Sequence, residues 1–158
     1  MGRICVIPGS YDPVTVGHAD LIRRAALLFD GVHAVVFRNS AKEAMFTLEA
    51  RVEMLRAACG GMANVTVAVT DGLLADYAAK VGAAAIVKGV RSASDLNYEG
   101  TLAAINREIG GAETVLLPAR AEHSFISSSF VREMLRYGKD VSKYVPEAAI
   151  AALRAARF

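Results

Sequence analysis

The feature that most constrains the fold is an alternation of two hydrophobic periods along the chain. Short runs rich in β-formers occur at Ile4–Ile7, Val32–Phe37, Val65–Val69, Ala84–Val87 and Thr114–Leu117. Between them, apolar residues recur at helical spacing. One set is Leu21, Ile22, Ala25, Leu28 and Phe29, a second is Leu48, Val52, Leu55 and Ala58, and a third is Leu73, Tyr77 and Val81. Short, nearly continuous apolar strands separated by helices imply a parallel sheet covered on both faces. Right-handed crossovers turn that pattern into a doubly wound, Rossmann-like α/β domain spanning 1–158, with a five-stranded parallel sheet and a C-terminal helical extension.

Punctuation residues agree with the periodicity. Thr47, Asp71 and Ser94 are expected N-caps, and Gly31, Gly60, Gly82 and Gly110 fall just past expected helix ends. Pro146 stands where a last helix, through Ala156, would begin.

Composition narrows the class of partner. The 158 residues are 54% hydrophobic, enough for one well-buried core, and the net charge of +2 is too small for a nucleic-acid footprint. No apolar segment is long enough to span a bilayer, and the first apolar run ends at Pro8, so no secretory signal is expected. Met1-Gly2 resembles an acylation start but has Val6 where Ser or Thr is needed. Cys5 and Cys59, the only cysteines, lack metal-ligand spacing and read as free thiols of a cytoplasmic protein.

In open α/β sheets, ligands bind beyond the carboxyl ends of the strands, and three stretches fall there. The first is Pro8-Gly9-Ser10-Tyr11-Asp12-Pro13 with Thr15-Val16-Gly17-His18. It is neither a dinucleotide fingerprint nor a P-loop. Gly9 permits close backbone approach or a left-handed turn, Ser10 offers a hydroxyl, and Gly17 lets a ligand lie on the first turn of a helix. His18 reads either as a cap or as a donor aimed at a bound phosphate. The second stretch, Lys88-Gly89-Val90-Arg91, places two cations around a glycine just past a buried strand, an arrangement suited to polyphosphate. The third, His123-Ser124-Phe125-Ile126-Ser127-Ser128-Ser129, has more serines than one helix cap requires. Lys42 lies in the loop after the second strand and can reach over the same sheet edge, and Glu99 could pair with a cation or accept from a ribose. Tyr11, Tyr98 and Phe125 read as core packing before ligand stacking. With no serine-nucleophile elbow and no zinc spacing, these residues suit direct in-line transfer between two phosphate compounds.

Together these motifs resemble the nucleotidylyltransferases that carry a His/Thr-x-Gly-His signature, here Thr15-Val16-Gly17-His18. With Lys88-Gly89-Val90-Arg91, Asn97-Tyr98-Glu99 and Phe125-Ile126-Ser127-Ser128-Ser129, the whole chain is similar to the bacterial phosphopantetheine adenylyltransferase family. The resemblance implies adenylyl transfer from ATP to 4′-phosphopantetheine, giving dephospho-coenzyme A and pyrophosphate without a covalent enzyme intermediate. It implies that Ser10 and Tyr11 contact phosphates and that His18 stabilises the transition state. Lys42, Leu74 and Lys88 would hold phosphopantetheine. Gly89, Val90, Arg91, Glu99 and the segment His123, Ser124, Phe125, Ile126, Ser127, Ser128 and Ser129 would hold ATP. It further implies Mg²⁺ on the triphosphate, a homohexamer and feedback inhibition by coenzyme A. Tyr11 stands where Phe is common in that family, Lys88 where Arg is common, and Leu96-Asn97 where an aromatic-acidic pair is common. Two alternatives are a related nucleotidylyltransferase with another phosphate acceptor and a nucleotide-sensing module that does not turn over.

Overall fold

The computed structural model describes residues 2–38 and 43–156. Five strands, β1 (Ile4–Gly9), β2 (Gly31–Phe37), β3 (Val65–Thr70), β4 (Ala83–Val90) and β5 (Glu113–Pro118), form one sheet in the order β3-β2-β1-β4-β5. Every neighbouring pair is parallel. The helices are α1 (Val16–Leu28), α2 (Leu48–Cys59), α3 (Leu74–Lys80), α4 (Ala93–Gly110), α5 (Ser128–Arg136) and α6 (Glu147–Ala155). The doubly wound, five-stranded architecture is thus the one expected, down to the C-terminal helices.

Alternation along β1 shows how both faces are covered. Cys5 and Ile7 point to one face, where they join Ile22 and Ala25 of α1, Leu55 of α2, Val131 of α5 and Leu153 of α6 in the larger core. Val6 points to the other face and packs with Val35, Ile86, Ala112 and Ala78 of α3. A strand buried on both sides has no polar position to spare, which is why these strands read as continuous apolar runs. Cys5 and Cys59 are both free and buried, and burial pushes the Cys5 thiol up to about 12.

The local signals succeed unevenly. Thr47 caps α2, its side chain accepting from the Ala50 N–H at 3.2 Å. The cap of α4 is Ser92, not Ser94, and α3 starts after Leu73 without a side-chain cap, so Asp71 has no capping role. Gly60 and Gly82 do follow helix ends, and Pro146 precedes α6. Gly31 instead opens β2. Gly110 is the last residue of α4, and the left-handed position after it, φ +70°, belongs to Gly111.

Gly110 has a packing role instead. A Cβ there would lie 2.7 Å from the Ala75 Cβ and 3.1 Å from its backbone, so the glycine lets α4 touch α3. Gly110→Ala should lower unfolding stability by about 1–3 kcal/mol through overpacking. Urea unfolding of the two proteins checks this; equal midpoints would show that α3 and α4 have slack at this contact.

Candidate active site

The strand order reverses between β1 and β4, since β1 continues to β2 and β3 on one side while β4 continues to β5 on the other. Their loops diverge at the carboxyl ends and leave a crevice there. A cavity of about 460 Å³ occupies it, lined by Ile7 through Asp12 at the end of β1 and the turn after it, and by Val87, Lys88, Gly89 and Arg91 at the end of β4.

The turn after β1 is built around a buried ring. Tyr11 takes the left-handed backbone conformation, φ +46°, and its buried hydroxyl donates to the Ile7 carbonyl at 2.9 Å. A Cβ on Gly9 would lie only 3.0 Å from that ring, so Gly9 makes room for Tyr11 and is not itself left-handed. The Tyr11 hydroxyl is thus spent on the strand, while the residue still lines the cavity. Next to it, the buried Asp12 carboxylate accepts from the Met45 and Phe46 N–H groups, both at 2.9 Å. The loop before α2 is thereby tied to the β1 turn. Lys42 lies outside the described residues.

His18 takes part in the cap of α1 and also lines the cavity. Thr15 caps α1, and its side chain accepts from the His18 N–H at 3.3 Å. In return the His18 Nδ1 lies 3.0 Å from the Thr15 backbone nitrogen, which can only donate. Nδ1 is therefore the unprotonated nitrogen, and the neutral ring carries its proton on Nε2. The ring packs edge-on to Tyr11, with centroids 5.0 Å apart, and lines the cavity. Burial first, then the Arg91 and Lys88 charges, push the imidazole down to about 4. At neutral pH it is a neutral Nε2–H donor.

The β4 and β5 sides carry most of the charge. Lys88, Gly89 and Val90 lie within β4 and not beyond it, because the strand runs three residues further than its apolar core. Lys88 pairs with Glu99 of α4 at 3.2 Å, and the other Glu99 oxygen, Oε2, is buried without a partner. The Arg91 guanidinium bonds Asp95 at 3.2 Å and the Ile126 carbonyl at 3.2 Å, which ties the end of β4 to the segment before α5. All three serine hydroxyls are engaged: Ser127 caps α5, Ser128 donates to the Pro13 carbonyl at 2.8 Å, and Ser129 accepts from Arg132. What the start of α5 offers a ligand is its first backbone N–H groups, which no helical carbonyl can reach.

Ser10, Tyr11, His18, Lys88, Gly89, Arg91, Glu99, His123, Ile126 and the three serines all line the cavity. Leu74, Val90, Ser124 and Phe125 do not. Leu74 packs on the opposite face of the sheet, beside the Val6 cluster. Phe125 and Tyr98 are exposed by 60% and 64%, so neither is the core residue expected from its type. The sequence reading also missed a cluster on the β5 side. Asp20, buried, pairs with Arg24 at 3.5 Å and with Arg120 at 3.0 Å, and all three line the cavity. Arg120 follows the end of β5 just as Arg91 follows β4, and that repeated placement is the signal that could have found it. Six Lys or Arg side chains against four carboxylates leave the described lining net positive, as an anionic ligand requires.

A cytidylyltransferase-like family model matches residues 6–134. The phosphopantetheine adenylyltransferase of Bifidobacterium longum is 48% identical over 149 residues, covering 93% of this chain and 90% of that protein. The chain belongs to the phosphopantetheine adenylyltransferase family. That of Deinococcus radiodurans is 46% identical over 151 residues, covering 94% of this chain and 90% of its own. A crystal structure of a Vibrio parahaemolyticus protein assigned as a nicotinate-nucleotide adenylyltransferase superposes with a TM-score of 0.67 at 21% identity, over 97% of this chain and 99% of that one. At that identity the match concerns the fold alone.

Holding His18 neutral costs stability in mild acid. Between the ordinary imidazole value of 6.5 and about 4, the unfolded chain binds a proton that the folded chain refuses. Stability therefore falls as pH falls through that window. His18→Gln should flatten this part of the pH–stability curve in urea unfolding; an unchanged slope would show that His18 is not held neutral.

Proposed function

We propose that the protein transfers the adenylyl group of ATP to 4′-phosphopantetheine, giving dephospho-coenzyme A and pyrophosphate. An oxygen of the acceptor phosphate attacks the α-phosphorus, a P–O bond forms, and the bond to the pyrophosphate leaving group breaks. The observation that carries this reading is the locked His18 ring, a neutral Nε2–H donor set among fixed cations in a net-positive crevice. Donors fixed before the reaction stabilise the charge that grows on the α-phosphoryl oxygens without having to reorganise. Phosphoryl-type transfer asks little else of a protein than positioning and charge.

The residues divide between the two substrates. Arg91, Gly89, Glu99 and the His123–Ser129 segment hold the nucleotide on the β4–β5 side, where the α5 start and Arg91 can meet its phosphates, whereas Val90, Ser124 and Phe125 can contribute only from outside the cavity. Ser10, Lys42, Lys88 and Leu74 hold the acceptor, with Tyr11 shaping the turn between the two substrates. Leu74 can do so only from outside the cavity described here. Among the described residues, no three His, Cys, Asp or Glu side chains gather as a metal cage. Mg²⁺ bound with ATP would neutralise part of the triphosphate charge, beside the cavity cations Lys88 and Arg91. The family resemblance also supports a single-domain cytoplasmic homohexamer inhibited by coenzyme A. Helix α4 has no buried residue and exposes Ile105 and Ile109 by 47% and 54%, as a face covered by another subunit would. No described helix is long and apolar enough to cross a membrane.

Purified protein with ATP, Mg²⁺ and 4′-phosphopantetheine should release pyrophosphate, and nicotinamide mononucleotide in place of the acceptor should not. Release only with the second acceptor would replace the substrate, and silence with both despite ATP binding would favour a sensing module. His18→Ala should lower kcat by about 100-fold or more while the Kd for ATP stays within a few-fold. Arg91→Ala should instead raise the Kd for ATP in calorimetry by about tenfold, and an unaltered Kd would remove it from the nucleotide site.

A further inference from the structure

Helix α2 faces the larger core with Val52, Met54, Leu55 and Cys59, yet its first turn also carries a buried arginine. Arg51 is only 6% exposed and forms no ion pair among the described residues. Its Nη1 donates to the Ser10 carbonyl at 2.8 Å and to the Phe37 carbonyl at 3.3 Å. Phe37 is the last residue of β2, and Ser10 follows directly on β1. One guanidinium therefore clamps the carboxyl ends of two adjacent strands. Its Nε is buried with no hydrogen-bond partner, and the residue lines the cavity.

A guanidinium so nearly buried without a counter-charge is costly, and two carbonyl bonds do not neutralise it. A core helix that needed only packing at this position would do better with leucine or methionine. The cost makes sense when an anion completes the site. On the β4–β5 side the cations already have partners: Arg91 has Asp95, Lys88 has Glu99, and Arg120 has Asp20. On the β1–β2 side, Arg51 has none.

We infer that Arg51 is a positioning residue for the acceptor half of the transfer. It fixes the Ser10 backbone at the strand ends and places uncompensated positive charge beneath a bound phosphomonoester. This rests on the adenylyl-transfer reading and adds to it the residue that prepares the acceptor side. Lysine at this position would keep the charge but lose the planar guanidinium whose rigid geometry holds Nη1 against both carbonyls. Methionine would fill similar space and lose both.

The test compares wild type, Arg51→Lys and Arg51→Met by steady-state kinetics, calorimetry with ATP and urea unfolding. Both variants should lose about tenfold or more in kcat/KM for 4′-phosphopantetheine, Met more than Lys, while the Kd for ATP changes less than about threefold. Arg51→Met should unfold at a urea concentration no lower than wild type, because it removes an uncompensated buried charge. A lowered midpoint with unchanged kcat/KM per folded enzyme would make Arg51 purely structural and overturn the inference. Should neither variant fold, the wild-type Arg51 Nε–H resonance gives the answer. It should move on saturation with 4′-phosphopantetheine, and a resonance that stays in place would also overturn the inference. A wild type without turnover refutes the transfer reading and this inference with it, whereas active wild type with equally active variants refutes the role of Arg51 alone.

Discussion

The reciprocal contact between Thr15 and His18 is the interaction on which the site depends. The Thr15 side chain takes the His18 N–H, and the His18 Nδ1 takes the Thr15 N–H. A single pair of residues thus starts helix α1, orients an imidazole and selects its tautomer. Nothing else in the turn could do all three, because a carboxylate at the same place would satisfy the cap and bring negative charge to a site built for phosphates. The helix gains its N-terminal donors, and the cavity gains a neutral N–H in a fixed direction.

Around that contact, the strand ends are held by charged groups whose polar atoms are mostly spent on backbone. Asp12 accepts from Met45 and Phe46, Arg51 donates to Ser10 and Phe37, and Arg132 donates to the Asp12 carbonyl at 2.8 Å. Arg91 and Arg24 do the same for Ile126 and Pro118. These bonds join loops that leave different strands, so the crevice at the reversal of strand order has walls fixed before any ligand arrives. Preorganisation of this kind suits a reaction in which the protein supplies no nucleophile.

The fold was legible because the central strands β1, β2 and β4 are buried on both faces and leave continuous apolar runs, while the partly buried edge strands β3 and β5 keep enough β-formers to be found within a few residues of their ends. Helix caps were less legible. Ser92 and Ser94 are equally good caps by type, and only the backbone tells them apart. In the site, the motifs at the ends of β1, β4 and β5 were read correctly as neighbours, since topology alone brings strand ends together. Which atoms face the ligand was not readable. The resemblance makes Tyr11 a phosphate contact, but it is buried as its type suggested and turns its hydroxyl to Ile7, and the serines spend their hydroxyls on Pro13, Arg132 and the cap of α5. Asp20 and Arg51 sit inside ordinary amphipathic helices, where a charged residue reads as solvated face until burial is known.

The proposed chemistry turns on a neutral imidazole, protonated on Nε2, that meets the phosphates. Long-range ¹H–¹⁵N correlation spectra of the imidazoles test it directly, with His18→Gln assigning the resonance. The account predicts the Nε2–H tautomer at neutral pH in the free protein, titrating only near pH 4, as burial and the Arg91 and Lys88 charges require. An imidazolium at pH 7, or a ring protonated on Nδ1, would contradict the account.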